Sequence, residues 1–287
     1  MSANNEFAFF PGCVLSQAAK ESKMSLEAIA PILGITLREI PGWSCCGASQ
    51  AQNVDPLATL VANARNIALA EKMNLPLLTT CSTCMLTLTR AKSTLDKGAK
   101  DRINNYLAKG NMKYEGNTEI TSLLWVLYQN VETLKTKVTK PLKGLKVALF
   151  YGCHSLRPER ELKKESSTNP KSFEAVVSAL GAQIVPFEKR LDCCGFHASY
   201  PAVKSVSKMS SEIVNDAAEH GADVVVTPCP LCQMQLDIYQ ERYQEATNSK
   251  ARKPIIHLSQ LVGLALGLSN EQLGLNINIQ DATKLVS

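Results

Sequence analysis

Ten cysteines dominate the chemistry available to this 287-residue sequence, and they fall into two sets of five. Cys13, Cys45, Cys46, Cys81 and Cys84 form the first set; Cys153, Cys193, Cys194, Cys229 and Cys232 form the second. Each set runs in the same order: a lone cysteine, a Cys-Cys-Gly triplet, then a Cys-x-x-Cys pair. In a chain without an export signal the thiols stay reduced, so ten of them point to metal or redox chemistry instead of structural disulfides. A structural zinc site takes four ligands and so does an ordinary four-iron cluster, which leaves the fifth cysteine and the adjacent pair to be explained. Zinc and metal-free dithiols stay open as alternatives, and the repetition of the whole pattern in one chain weighs against both.

The two sets are one motif written twice. Cys45, Cys46, Cys81 and Cys84 each recur 148 residues later, and Cys13 recurs after 140 residues as Cys153. The flanking words recur with them: FFPGC at 9–13 with FYGC at 150–153, SCCGAS at 44–49 with DCCGFHAS at 192–199, and TTCSTC at 79–84 with TPCPLC at 227–232. The extra length of the second half belongs in the polar stretch 157–170. There Arg157, Arg160, Lys163 and Lys164 are candidates for holding a negatively charged group, while Glu159, Glu161 and Glu165 favour the plainer reading of a solvated charged loop.

The elements that must position these cysteines alternate between strand and helix. Short apolar runs over 7–10, 35–40 and 75–80 each lead into a cysteine motif, with a helical pattern over 56–73. The second half repeats the plan with runs over 146–151, 182–187 and 223–227 and helical patterns over 172–180 and 202–218. Such alternation predicts an α/β fold in which each half is a small parallel sheet with flanking helices, the halves related by a pseudo-two-fold axis. Ligands in parallel sheets sit outside the carboxyl ends of the strands, so the three motifs of a half converge there. Helices starting after Cys13, Cys46 and Cys84 would turn backbone N–H groups toward the thiolates. Two segments, 118–130 and 254–268, read as amphipathic helices that close each half. The expected division is a first domain over 1–134, a lysine-rich linker over 135–146, a second domain over 147–269 and a tail over 270–287 that carries no motif and reads as a docking segment or a loose end.

Composition bounds the rest. With 45% hydrophobic and 20% charged residues the chain can bury a core of its own. A net charge of +5 with scattered lysines argues against nucleic acid. No basic segment precedes a long apolar run at the start, and the apolar stretch 261–268 is too short to cross a bilayer. The expectation is a cytoplasmic chain with no membrane span. No cubane ferredoxin run is present, so electrons must arrive through another subunit.

Over nearly its whole length the sequence resembles the CCG-domain proteins, and among them the B-type chain of heterodisulfide reductases and of the related complexes of sulfur oxidisers. PGC at 11–13, YGCH at 151–154, DCCG at 192–195, CPLC at 229–232 and LSQLVGLALGL at 258–268 carry the likeness. The resemblance implies two non-cubane four-iron four-sulfur clusters, one on each set of five cysteines, and a catalytic subunit that cleaves or forms a disulfide, or oxidises a dithiol substrate, between them. It implies as partners a ferredoxin-like C-type subunit and a flavin-containing A-type subunit, with a disulfide or thiol substrate, on a carrier protein in some cases. The alternative is an electron-transfer subunit of a lactate- or succinate-dehydrogenase-type complex with no substrate chemistry of its own. Phe196 and His197 follow the second triplet where the family carries small residues. His154 and His197 adjoin ligand positions and are candidate catalytic proton donors, with a structural hydrogen bond to sulfur or carbonyl as the competing role. Trp43 next to the first pair is either a solvent shield or core, His220 suits a helix end, and His257 reads as structural.

Overall fold

A computed structural model describes residues 5–285. In the first half β1 (Glu6–Phe9), β2 (Thr36–Glu39), β3 (Leu77–Thr79) and β4 (Ile120–Ser122) form one sheet in the order β2-β1-β3-β4. In the second half β5 (Lys146–Leu149), β6 (Gln183–Val185), β7 (Val224–Thr227) and β8 (Ile255–His257) repeat it in the order β6-β5-β7-β8. Every pairing is parallel, so helices must carry the chain back between strands and cover both faces. Alternate residues then divide between two cores. Phe7, Phe9, Val147 and Leu149 point into one, and Ala8, Phe10, Ala148 and Phe150 into the other. Both cores draw residues from both halves, which fuses the repeats into a single packed body.

From the central strand the chain first lays β2 on one side of β1 and then crosses to β3 on the other. The crevice between the ends of β1 and β3 is therefore the topological switch point of the sheet, the place where parallel sheets bind ligands. Cys13 follows β1 and Cys81 follows β3, so the lone cysteine and the Cys-x-x-Cys pair flank that crevice. The second sheet does the same with Cys153 and Cys229.

Three features go beyond the sequence reading. Each half has a fourth strand, β4 or β8, inside a segment read as wholly helical; three residues are too few to show an alternating pattern before the helices Leu123–Gln129 and Leu258–Ala265 begin. The tail is docked, with Leu273, Leu275 and Ala282 buried and the Asp237 carboxylate accepting the Ile279 and Gln280 N–H groups at 2.7 and 3.1 Å. The 157–170 stretch is stitched to the body: Arg157 donates to the Leu191 carbonyl, Lys164 pairs with Glu119 at 3.8 Å, and Glu165 accepts from Ser172 Oγ at 2.6 Å.

The helix Lys20–Leu33 of the first half lies on the closing helix Leu258–Ala265 of the second through buried polar groups. Ser25 Oγ meets Ser259 Oγ at 2.6 Å, and Gln233 accepts from Ser22 Oγ at 2.5 Å while donating to Glu21 at 2.9 Å. Burial pushes the Glu21 carboxyl up to about 7, with a smaller push from Asp237, itself raised by burial to about 6. Glu21 stays protonated in the folded chain at pH values where the unfolded chain has already ionised it. Stability is therefore expected to fall as pH rises from about 4.5 to 7, and Glu21→Gln should flatten that slope and stabilise the chain at pH 7.5 by on the order of 2 kcal/mol. Thermal melts of both proteins across this range check it.

Candidate metal centre

Each cysteine owes its place to a strand end. Cys13 lies in the first turn of the helix Gly12–Gln17 after β1, and Cys45 and Cys46 lie in the loop after β2. Cys81 is the N-cap of the helix Ser82–Thr94 after β3, with Cys84 one turn further on. In the second half Cys153 opens the helix Cys153–Leu156, Cys193 and Cys194 follow β6, and Cys229 caps the helix Pro230–Asp237 that contains Cys232. No helix starts directly after Cys46 or Cys194. Gly47 turns the chain at φ 68° before the helix Gln50–Val54 begins, and after Gly195 there is only the short turn Phe196–Ala198.

The sulfurs meet. Cys13 and Cys45 are 3.5 Å apart, Cys46 and Cys84 3.5 Å, and Cys153 and Cys193 3.8 Å. Cys81 and Cys229, equivalent positions of the two repeats, stand side by side at the boundary between the halves. The ten thiols thus form one file, with exposed Cys13 and Cys45 at one end, half-buried Cys193 and Cys153 at the other and the six buried thiols between. Two glycines make room for it: a Cβ on Gly12 would lie 3.0 Å from Cys84 Sγ, and one on Gly152 would lie 2.8 Å from Cys232 Sγ, at φ values of 71° and 72° that disfavour any side chain.

Backbone and neighbouring thiols select where negative charge resides. Cys45 is held down to about 2, first by the Cys13 S–H and then by Cys46, with the Gly47 N–H donating at 3.4 Å. Cys193 is held down to about 2 in the same way by Cys153, Cys194 and the Gly195 N–H at 3.3 Å. Donating those hydrogen bonds pushes Cys13 and Cys153 far up, and Cys46 rises to about 11 as donor to Cys45. The protein alone therefore supports only partial ionisation of each set. Five thiolates so close together, three of each set buried, require positive charge among them, which a metal centre brings. Among the described residues no three His, Cys, Asp or Glu side chains surround one point as ligands of a single ion do. Five sulfurs spread along a cavity fit a polynuclear group better than a lone ion.

Next to the first set is a cavity of about 220 Å³ walled by all five of its cysteines together with Val14, Leu15, Phe196, His197, Tyr200 and Leu231. Next to the second set only about 10 Å³ is open. The candidate histidines come together between the two, their rings 5.0 Å apart. His197 Nδ1 bonds Ser49 Oγ at 2.6 Å, and His154 Nδ1 bonds Thr83 Oγ1 at 2.9 Å, so each histidine of the second half is oriented by a hydroxyl of the first. Burial pushes both imidazoles below their ordinary range, which keeps them neutral near pH 7. Ser49 and Thr83 are functional neighbours that sequence reasoning missed. Ser49 was detectable in principle, since it lies 148 residues before His197 and is its repeat equivalent. Trp43 packs edge-on against Phe10 at 5.5 Å, His220 bonds the Asp216 carbonyl at a helix end, and His257 caps the helix Leu258–Ala265.

The CCG cysteine-rich domain matches residues 7–89 and 147–237, together more than half of the chain. The chain belongs to the CCG cysteine-rich domain family. Relatives matched along nearly their whole length include subunits of two kinds of complex. This CCG chain is 74% identical over 280 residues to the 8-methylmenaquinol:fumarate reductase membrane anchor subunit of Wolinella succinogenes, covering 98% of this chain and 99% of that one. It is 33% identical over 276 residues to a protein of Archaeoglobus profundus that is like the B-type chain of heterodisulfide reductase, covering 93% and 92%. A crystal structure of a hypothetical protein from Helicobacter pylori has the same fold at 16% identity, with a TM-score of 0.79 over 99% of this chain and 53% of that one. The CCG chain is accordingly an iron–sulfur protein of an oxidoreductase complex.

The likeness to a membrane anchor subunit overturns the cytoplasmic localisation and the expected set of partners, C-type and A-type subunits and a disulfide or thiol substrate with no membrane span. It also supports electron transfer better than disulfide chemistry. Among the described residues no helix is long and apolar enough to cross a membrane. Hydropathy reads one segment at a time, and attachment through a folded surface or an embedded partner leaves no such segment. The glycine beside Cys232 makes a sharp test of the site: Gly152→Ala should lose about half of the iron and acid-labile sulfide while the first set stays loaded, measured on anaerobically purified protein.

Proposed function

We propose that this chain is the electron-transfer subunit of a membrane-associated reductase complex that oxidises a quinol and passes the electrons to a fumarate-reducing partner. The observation that carries the reading is the unbroken file of ten sulfurs, joined at Cys81 and Cys229, in a chain 74% identical to one subunit of a menaquinol:fumarate reductase. In this reading Cys13, Cys45, Cys46, Cys81 and Cys84 hold one non-cubane four-iron four-sulfur cluster, and Cys153, Cys193, Cys194, Cys229 and Cys232 hold a second. Bound there, the clusters supply one-electron steps that a two-electron donor needs.

The chain's own residues set the conditions for those steps. The N–H groups of Gly47 and Gly195 hydrogen-bond sulfur, and such bonds stabilise the more negative, reduced form of a cluster. Contact between Cys81 and Cys229 brings the two sites close enough for rapid exchange of electrons. His154 and His197 lie between the sites with their rings 5.0 Å apart, each fixed by its hydroxyl partner.

The purified complex should reduce fumarate with a naphthoquinol and, separately, with reduced viologen dye delivered directly to the fumarate-reducing partner. Cys46→Ser or Cys194→Ser in this chain should abolish the quinol-driven rate and spare the viologen-driven one. Full quinol-driven turnover in both variants would contradict the role.

A further inference from the structure

Where Cys81 stands beside Cys229, the two halves carry different residues at the ends of their fourth strands. Thr79 of β3 pairs with Ser122 of β4, and Thr227 of β7 pairs with His257 of β8. Thr79 and Thr227 are repeat equivalents, 148 residues apart, and each lies two residues before the first cysteine of its Cys-x-x-Cys pair. Ser122 and His257 therefore hold matching places beside the two pairs. Each is also the N-cap of the helix that closes its half, but only His257 caps with its side chain. An imidazole thus stands in the second half where the first has a short hydroxyl.

One edge of that imidazole is committed. Nδ1 accepts from the Ser259 N–H at 3.2 Å and bonds Ser259 Oγ at 2.7 Å, while the Gln260 side chain accepts from the His257 N–H at 2.9 Å to complete a capping box. A ring nitrogen that accepts from a backbone N–H carries no proton, so in the neutral ring the proton is on Nε2. The ring is neutral near pH 7, because it is fully buried and burial pushes it down to about 4. Its Nε2–H is then a fixed donor, and it has no hydrogen-bond partner. Such a group is costly, since a buried N–H left unpaired has given up its bond to water for nothing. The neighbours that favour the charged ring are, in order, the Cys229 sulfur and the backbones of Pro228 and Thr80, which immediately precede Cys229 and Cys81. Among the described residues four buried side-chain polar atoms lack a partner, and two of them, His257 Nε2 and Thr80 Oγ1, flank the meeting of the two sets.

We propose that His257 donates its Nε2–H to the Cys229 sulfur once the second set holds its iron–sulfur group, and that this bond raises the reduction potential of that group above that of the first. The inference rests on the electron-transfer role proposed above and adds the residue that gives the transfer its direction. A hydrogen bond to sulfur strengthens as the sulfur becomes more negative, so it stabilises the reduced form. Reduction adds one electron to the iron–sulfur group and no proton: the imidazole keeps its Nε2 proton, and its N–H dipole meets the added negative charge. Ser122, with a hydroxyl on a single carbon, lacks the reach to do the same for the first set. Electrons shared between the two sites then settle on the second.

The test is a redox titration of the anaerobically purified full chain followed by electron paramagnetic resonance, the second-set signal being the one that Gly152→Ala removes. His257→Asn keeps an acceptor for the Ser259 N–H but loses the reach of Nε2, His257→Gln keeps a donor at that reach but loses the cap, and His257→Leu loses both. In His257→Asn and His257→Leu the ratio of reduced to oxidised second-set group at a fixed potential should fall about tenfold, which is about 59 mV for a one-electron couple, with iron content and the first-set potential unchanged. His257→Gln should keep most of the wild-type potential while melting at a lower temperature. A wild-type potential in His257→Asn and His257→Leu, with any loss confined to melting temperature, overturns the proposal while the electron-transfer role stands. Loss of iron from both of these variants makes the residue a structural one and overturns it as well. A wild-type chain whose iron–sulfur groups take up no electrons at potentials that quinols reach overturns that role and the proposal together.

Discussion

Five thiols placed within contact of one another repel as soon as they ionise, and the architecture of this chain follows from holding them there regardless. Sulfur spacings of 3.5–3.8 Å are tolerable only if protons are shared, as between Cys13 and Cys45, or if positive charge sits among them. Parallel strands answer the positional part of the problem, because their carboxyl ends gather segments far apart in sequence at one edge. Backbone N–H groups at Gly47 and Gly195, and helices that start at Cys81 and Cys229, answer part of the electrostatic one. The remainder is left for iron.

Duplication sets two such sites side by side. Because the halves are related by a pseudo-two-fold axis, equivalent residues meet where the axis passes: Cys81 beside Cys229, and Ser49 bonded to His197. A symmetric pair of sites would have no preferred direction. The repeat has diverged around the sulfurs instead, toward apolar residues and open space at the first set and toward hydroxyls and imidazole at the second. Such asymmetry separates the environments of two otherwise similar ligand sets, which is the physical requirement for electrons to move one way between them.

The sequence makes the cysteine sets, the duplication and three strands of each half legible, because cysteine spacing is independent of tertiary context and the strands are dense in β-branched and aromatic residues. The fourth strands were hidden by their length and by the strongly apolar helices Leu123–Gln129 and Leu258–Ala265 that follow them. Thr83 gave no signal, and Ser49 only its place 148 residues before His197, since a hydroxyl acquires its role only when the opposite repeat delivers a histidine to it. The docking of the tail depends on Asp237 capping distant N–H groups, a long-range contact that no local pattern encodes. The exposure of Tyr200 and Val54 escaped for a related reason, since surface position is set by the packing of the whole chain.

All of this stands on the claim that both sets of cysteines hold iron and sulfide. Iron and acid-labile sulfide determined on the anaerobically purified chain test it most directly. About eight iron and eight sulfide per chain are expected from two four-iron clusters, whereas stoichiometric zinc without sulfide, or about four iron in a fully folded protein, would contradict it.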